Sequence, residues 1–171
     1  MRRLIPLALA LLFFAPASGE AQPRFLVSGG FTGPMGDLSD VADAGYHGQV
    51  GLFVQLPTIP VGLRGDGAVH KLGSGDALLA DTQILAGSLS VVYHLPGISL
   101  VPYFLVGIGS YQTESGPAGA AAKTTDAGFH GGFGVNFGTG GLGAFAEIRL
   151  VQINGDPGST RFIPLSFGLR L

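Results

Sequence analysis

Five of the few charged residues in this chain have the types and spacings of a functional or structural polar site. Arg64 and Asp66 form an R-x-D pair, Glu147 and Arg149 form an E-x-R pair, and Arg170 is the next-to-last residue of the sequence. Residues two apart on an extended strand share one face, so each pair would present opposite charges to the same side of a sheet. Such a set could line a polar gate or a narrow ion path. It could equally form a charge-paired plug, because buried charges must be paired, and the plug is the interpretation that we favour.

Four histidines, at positions 47, 70, 94 and 130, raise the question of a metal or catalytic centre. No two of them have a ligand spacing such as H-x-x-x-H, and the chain has no cysteine. We therefore predict no catalytic residue, no metal site and no cofactor, and we expect these imidazoles within or at the rim of a polar interior. Asp37, Asp40 and Asp43 could bind a divalent cation, but their spacing matches no coordination motif. A solvated acidic loop is the simpler interpretation of these aspartates.

The first 21 residues have the pattern of a secretory signal peptide. Arg2 and Arg3 precede an apolar run over residues 4–15, and small residues surround a plausible cleavage point after Ala21. The apolar run is too short for a transmembrane helix, which needs about 20 residues. Residues 1–21 are thus predicted to be a signal peptide and residues 22–171 a single exported domain.

The composition is unusual for a soluble domain. Charged residues make up 12% of the chain, against about a quarter in ordinary globular proteins, and there are 30 glycines. Without the predicted signal peptide, seven basic and ten acidic residues remain, which argues against nucleic acid as a partner because phosphate binding needs clustered Lys and Arg. So few charges would not cover a water-exposed surface of this size. A Gly-rich, exported chain of this kind is typical of a transmembrane barrel, whose outer surface is largely covered by lipid.

Alternation with a period of two predicts strands along the whole domain. It is clearest at the end of the chain, where Ile163, Leu165, Phe167, Leu169 and Leu171 alternate with small or polar residues and Arg170. Across the domain the large apolar residues fall on one face, and Gly, Ala, Ser, Gln and the charges on the other. We expect Phe104, Val106 and Ile108 to face outward. The predicted strands are residues 24–32, 46–56, 61–70, 83–95, 100–111, 125–137, 142–152 and 160–171.

The connections between these eight strands alternate between long and short, and the last is intermediate. That rhythm predicts an all-β fold, an eight-stranded antiparallel up-and-down transmembrane β-barrel with turns at one membrane face and loops at the other. Unpaired backbone groups are costly in hydrocarbon, so the first and last strands must pair.

Pro102 and Pro164 each remove a ladder donor, and we expect both in the turn-side half of their strands, at a bulge or bend. A soluble exported barrel similar to lipocalins, binding a small apolar ligand, is the alternative, but it would place its large apolar residues inside.

Four segments carry a resemblance to a known family. They are V-P-Y-F-L-V-G-I-G-S-Y (101–111), F-H-G-G-F-G-V-N-F (129–137), A-F-A-E-I-R-L (144–150) and the closing F-I-P-L-S-F-G-L-R-L. With them the domain resembles the small eight-stranded outer-membrane barrels of the OmpA-transmembrane and OmpX type. The resemblance implies a bacterial outer-membrane location, a lumen crossed by ion pairs, and a terminal strand that is read by the barrel-assembly machinery, although that strand ends here in Leu171 rather than Phe.

The function expected from these observations is a structural or surface-interaction role without enzymatic activity. The exposed loops would be the contact surface, the partners would be outer-membrane lipid and lipopolysaccharide, and the protein would be a monomer. A minor, low-conductance pore is the alternative within the membrane.

Overall fold

The computed structural model describes residues 23–40, 42–73, 82–115, 122–138, 143–155 and 158–171, and these form eight antiparallel strands. The predicted signal peptide lies outside the described residues. A short 3₁₀ turn, Gly36–Asp40, follows the first strand. The strands are β1 (Pro23–Met35), β2 (Gly45–Gln55), β3 (Val61–Leu72), β4 (Thr82–His94), β5 (Leu100–Ser115), β6 (Ala122–Phe137), β7 (Gly143–Asn154) and β8 (Ser159–Arg170).

The sheet closes on itself, as the sequence predicted. Each strand pairs with its neighbours in chain order, and β1 pairs with β8 over ten residues. Phe25 and Leu171 exchange two backbone hydrogen bonds of 3.0 and 2.8 Å just beyond that ladder. The pairing leaves no open edge, so the strands satisfy the condition that hydrocarbon imposes on a spanning sheet.

The rows of large apolar side chains predicted to face outward do so, and Phe31, Leu89 and Ile108 remain 68%, 68% and 69% exposed. The inner face is less uniformly small and polar than predicted, because it also carries buried large apolar side chains, among them Phe53, Phe145 and Phe162. Phe104 and Val106 also face outward. The ionised residues in the middle of the strands face inward, the reverse of a soluble barrel that carries an apolar ligand.

The barrel has two unlike ends. We call the end where β1 begins and β2, β4, β6 and β8 end the turn end. The opposite end, where β1, β3, β5 and β7 end, is the loop end. No helix among the described residues is long and apolar enough to cross a membrane.

Several strands are longer than the alternation predicted, and β5 and β6 differ most. Of residues 112–124, which were expected to be a loop, residues 112–115 and 122–124 instead continue the β5–β6 ladder to the pair Ser115 and Ala122, and residues 116–121 lie outside the described residues. Glu114 lies directly opposite Lys123, with a salt bridge of 3.0 Å. Oppositely charged side chains in register stabilise a hairpin, and threonine favours strands, so a stretch with the composition of a loop adopts extended structure.

The expected position in the turn-side half of the strand is confirmed for Pro102 and wrong for Pro164, and the register of β5 with β6 shows no bulge at Pro102. Pro102 is the third residue of β5, close to the turn end. Pro164 is the sixth residue of β8, in its loop-end half, and it pairs with Thr32 in an unbroken register. On the other side of β8 the ladder to β7 lacks the pairs between residues 149–150 and 163–164. The missing N–H is therefore accommodated by a local gap in one ladder and not by a bulge.

An arginine at the middle of the outer surface tests the lipid-facing assignment. Val106→Arg is expected to lower the free energy of unfolding in lipid vesicles by about 2–4 kcal/mol, because the guanidinium would lie near the bilayer midplane. Urea titration of the heat-modifiable band measures this change. Gln112→Arg is the matched control, since Gln112 faces outward on the same strand near the loop end, and it should cost about 0–1 kcal/mol. Equal costs for the two variants would contradict a lipid-facing surface at Val106.

Candidate functional site

The predicted polar residues meet inside the barrel because of where their strands lie. Arg64 and Asp66 are on β3, Glu147 and Arg149 are on β7, and these two strands lie on opposite sides of the eight-stranded ring. Each pair is two residues apart, so both members point into the lumen. All four side chains are buried.

The four side chains form a closed ring of alternating charge, which we call the charge ring (Arg64, Asp66, Glu147 and Arg149). Arg64 Nε lies 2.8 Å from Asp66 Oδ1, and its Nη1 lies 2.7 Å from Glu147 Oε2. Arg149 Nε lies 2.6 Å from Glu147 Oε1, and its Nη2 lies 3.0 Å from Asp66 Oδ2. Each guanidinium therefore bridges both carboxylates, and the formal charges sum to zero.

Neutral groups complete the hydrogen bonding of the ring. The Tyr103 hydroxyl donates to Glu147 Oε2 at 2.7 Å, and the Gln49 amide donates to Asp66 Oδ1 at 3.0 Å. The Arg64 guanidinium also lies over the Phe145 ring, 5.4 Å from its centroid. Buried charges are tolerated when their partners and remaining lone pairs are satisfied, and the two carboxylates meet that condition.

Arg170 does not belong to the charge ring, and its membership of one polar lumen network with the other four residues stays a prediction. It faces inward at the turn end of β8 and makes no salt bridge within the described residues. Its position is four residues along β8 from Ser166, which lies opposite Glu147. At a rise of about 3.3 Å per residue, that offset places Arg170 too far along the axis to join the ring.

A second polar cluster, which we call the histidine cluster (Thr32, His47, His70 and Ser166), lies on the loop-end side of the charge ring. His47 and His70 are direct register partners on β2 and β3. Their Nδ1 atoms lie 3.0 and 2.9 Å from the Thr32 hydroxyl, and His47 Nε2 lies 2.9 Å from the Ser166 hydroxyl. Sequence spacing did not reveal this cluster, because the two histidines are 23 positions apart in the chain and meet only through the register.

His130 makes a similar but separate arrangement. Its Nε2 lies 2.8 Å from the Ser90 hydroxyl, and its Nδ1 lies 3.3 Å from the Tyr111 hydroxyl. His130 is 1% exposed and Ser90 is 5% exposed. The Ser–His contacts therefore lie in the packed interior.

Apolar layers lie on both sides of these polar groups. At the loop end, a cluster that includes Leu72, Ile84 and Phe162 is completely buried. At the turn end, Phe53, Phe145 and Val92 belong to a second buried cluster. The charged and histidine groups thus lie between two apolar layers.

Nothing in the described part of the chain resembles a metal centre. No group of three or more His, Asp or Glu side chains is arranged there to hold an ion. Asp37 and Asp40 lie in the 3₁₀ turn, and Asp43 follows it, with its backbone N–H bound to Gly73 O at 2.8 Å.

Removing one charge from the ring should be costly. Glu147→Gln leaves two buried guanidinium groups with a single carboxylate, so we expect the free energy of unfolding to fall by about 3–5 kcal/mol. Urea titration in detergent, followed by the heat-modifiable band, measures the change. Glu114→Gln is the control, because Glu114 forms the exposed pair with Lys123 and should cost less than about 1 kcal/mol. A loss for Glu147→Gln no larger than for Glu114→Gln would contradict a stabilising role for the ring.

Comparisons with known proteins agree with this architecture. The structure is similar to Neisserial surface protein A, with a TM-score of 0.73, 15% identity, and coverage of 87% of this chain and 96% of that one. It is also similar to Ail, the attachment invasion locus protein of Yersinia pestis, with a TM-score of 0.57, 15% identity, and coverage of 88% and 99%. The N-terminal β-barrel domain of Pseudomonas aeruginosa OprF gives a TM-score of 0.54 and 17% identity, with coverage of 89% and 100%. At these identities the likeness concerns the fold alone.

A search of curated proteins gives no match. The family described as the outer membrane protein beta-barrel domain matches residues 5–170, which is nearly the whole sequence. The structural neighbours of this chain are likewise bacterial outer-membrane barrels. The chain therefore belongs to the outer-membrane β-barrel domain family.

Proposed function

We propose that this protein is a non-enzymatic structural and surface-contact barrel of the bacterial outer membrane, with a lumen closed to ions. In this proposal the signal peptide over residues 1–21 is cleaved on export. The barrel-assembly machinery reads the outward row of β8, namely Ile163, Leu165, Phe167, Leu169 and Leu171. The mature barrel is a monomer whose loop end meets lipopolysaccharide and surface partners.

The observation that carries the closed lumen is the charge ring. Its two guanidinium groups join both carboxylates across the barrel axis, with all four contacts between 2.6 and 3.0 Å. An ion crossing this level would have to separate charges that are already paired out of water, which is strongly unfavourable. The apolar layer at the loop end adds a second obstacle, because a dry constriction does not hydrate a passing ion.

A non-enzymatic role is supported by where the Ser–His contacts lie. His47 with Ser166 and His130 with Ser90 have the atom pairs that a nucleophile and its base would use. All four residues are buried in the lumen, with exposures between 1% and 5%. A lipid or peptide ester cannot reach these hydroxyls, so these hydrogen bonds are best understood as satisfying buried polar groups.

Contact with lipopolysaccharide is supported by the placement of the outward-facing bases. Among the described residues these are Lys71, Lys123 and Arg161, and each lies close to the loop end of its strand. No outward-facing base lies at the turn end within the same residues. Lys123 is already paired with Glu114 at 3.0 Å, so Lys71 and Arg161 are the bases that can match the phosphates of an anionic glycolipid leaflet. Two of the structural neighbours are described as a surface protein and an attachment protein, which is compatible with an exposed loop end.

The closed lumen predicts that the wild-type protein gives no stepwise conductance in planar lipid bilayers. The barrier would be the charge ring with the apolar layer at the loop end, so current traces should match those of protein-free bilayers. A general porin inserted under the same conditions is the positive control. Stepwise wild-type currents that change with Glu147→Gln, but not with the surface variant Glu114→Gln, would contradict this prediction and favour the low-conductance pore.

The lipopolysaccharide contact is tested by neutralising the loop-end bases. Lys71→Gln combined with Arg161→Gln should weaken binding of purified lipopolysaccharide to the detergent-solubilised barrel by about thirtyfold, since each base near an anionic surface contributes about 1 kcal/mol. Native mass spectrometry of the complexes measures this loss. The turn-end variant Arg24→Gln removes a positive charge from an inward position and should leave binding unchanged. The proposed contact would be overturned if the double variant and Arg24→Gln weakened binding equally, or if neither of them weakened it.

A further inference from the structure

A small cavity lies in the lumen between the charge ring and the turn end. Its volume is about 20 Å³, which is room for about one water-sized particle. Part of its wall is the apolar turn-end layer, including Phe53 and Phe145. Its polar lining consists of Arg64, His94, Tyr103, Asn136 and Arg170.

Three nitrogen atoms of this lining are buried without a hydrogen-bond partner among the described residues. They are Arg64 Nη2, His94 Nδ1 and Arg170 Nε. Arg64 is only 4% exposed, and its other two nitrogens are committed to the charge ring. A guanidinium nitrogen can donate but never accept, and an unpaired buried donor is costly. The two guanidinium nitrogens in this cavity wall therefore need an acceptor, and the imidazole nitrogen beside them can donate as well when it carries a proton.

The inward-facing charged side chains at this end of the lumen are all positive among the described residues. Arg24 and Arg170 both face inward on the paired strands β1 and β8, close enough to repel each other. No aspartate or glutamate in the described part of the chain lies inward on the turn-end side of the charge ring. The nearest carboxylates, Asp66 and Glu147, each already bind two guanidinium groups. The inward side chains on the turn-end side of the charge ring therefore carry a net positive charge within the described residues.

We propose that this cavity is a binding site for a single small monovalent anion, with chloride as the physiological occupant. An anion accepts hydrogen bonds from Arg64 Nη2 and Arg170 Nε at once, and from His94 Nδ1 when that atom carries a proton. It also offsets the arginine charge, which a water molecule does not. Phosphate and carboxylate ligands are too large for the volume, and a cation is repelled. The apolar part of the wall suits a weakly hydrated halide better than fluoride, whose hydration shell is costly to remove.

The test uses the folded protein purified in detergent, with chloride and bromide as the probes. Apparent melting temperatures are compared in sodium chloride, bromide, fluoride and gluconate at equal ionic strength. Chloride and bromide should raise the melting temperature by about 3 °C or more in a saturable way, since a ligand that binds only the folded state stabilises it. Fluoride and gluconate should not. Identical melting temperatures in all four salts would overturn the proposal.

Two variants separate the site from general salt effects. Arg170→Gln removes one donor and its charge, and it should abolish the chloride and bromide dependence. Arg161→Gln makes the same substitution on the same strand, on the outer surface near the loop end, and should keep the full dependence. A halide effect of equal size in both variants would assign it to surface screening and overturn the site. If Arg170→Gln does not fold, His94→Phe, which removes the imidazole from the cavity wall, replaces it and should weaken the dependence.

Bromide also allows the position of the bound anion to be determined directly by anomalous X-ray scattering. Crystals grown in sodium bromide should show one anomalous peak inside the barrel, within hydrogen-bonding distance of Arg64 Nη2 and Arg170 Nε. The same crystals grown from Arg161→Gln protein should retain the peak, and those from Arg170→Gln protein should lose it. Density for a water molecule without anomalous signal at that position would overturn the proposal.

Discussion

The hydrogen-bonding requirement of the backbone in hydrocarbon is the constraint on which the rest of this structure depends. An unpaired N–H or C=O costs several kcal/mol where no water can reach it, so β1 and β8 must pair, and they do so over ten residues. A barrel of eight strands has a lumen only just wide enough for side chains. Closure of the barrel therefore determines which side chains face outward and how little space remains for side chains in the lumen.

The narrow lumen explains why the buried charges take the form of a ring. β3 and β7 lie on opposite sides of the barrel, and a pair of residues from each can meet at the axis. Each guanidinium offers several donors in a planar fork, so one arginine can reach two carboxylates. The same arrangement specifies register, because a slip of one residue moves every inward side chain to the lipid face. For Asp66 or Glu147 that slip would expose an unpaired carboxylate to hydrocarbon.

The period-two pattern predicted which residues face lipid, because that pattern depends only on neighbouring residues along the chain. It identified all eight strands and placed Arg64, Asp66, Glu147 and Arg149 inside. It could not predict which inward residues share one level of the barrel, since that depends on the stagger between strands. The pattern therefore does not separate Arg170, which lies nearer the turn end, from the charge ring, and it gives no sign of the contacts of Thr32 with two histidines. The length of the β5–β6 hairpin was underestimated for a related reason, because the pairing of Glu114 with Lys123 is visible only in register.

The many glycines follow from the same restricted lumen. Several inward glycines lie directly opposite a bulky inward side chain on the next strand, and a Cβ atom at the glycine would collide with that side chain or with nearby backbone. The five pairs are Gly51 with Asp66, Gly107 with His130, Gly132 with Arg149, Gly134 with Tyr103, and Gly168 with Phe145. Three of these partners belong to the charge ring or donate to it.

Each glycine in these pairs leaves space for a large side chain that a Cβ atom would otherwise occupy. Glycine normally weakens a strand. Here its cost is offset because the large partner can lie flat against the neighbouring backbone and still reach the axis of the barrel. The glycine content and the buried polar network are therefore two consequences of one packing problem. An inward Gly-to-Ala change opposite Arg149 or Tyr103 acts on the charge ring through space, without altering any charge.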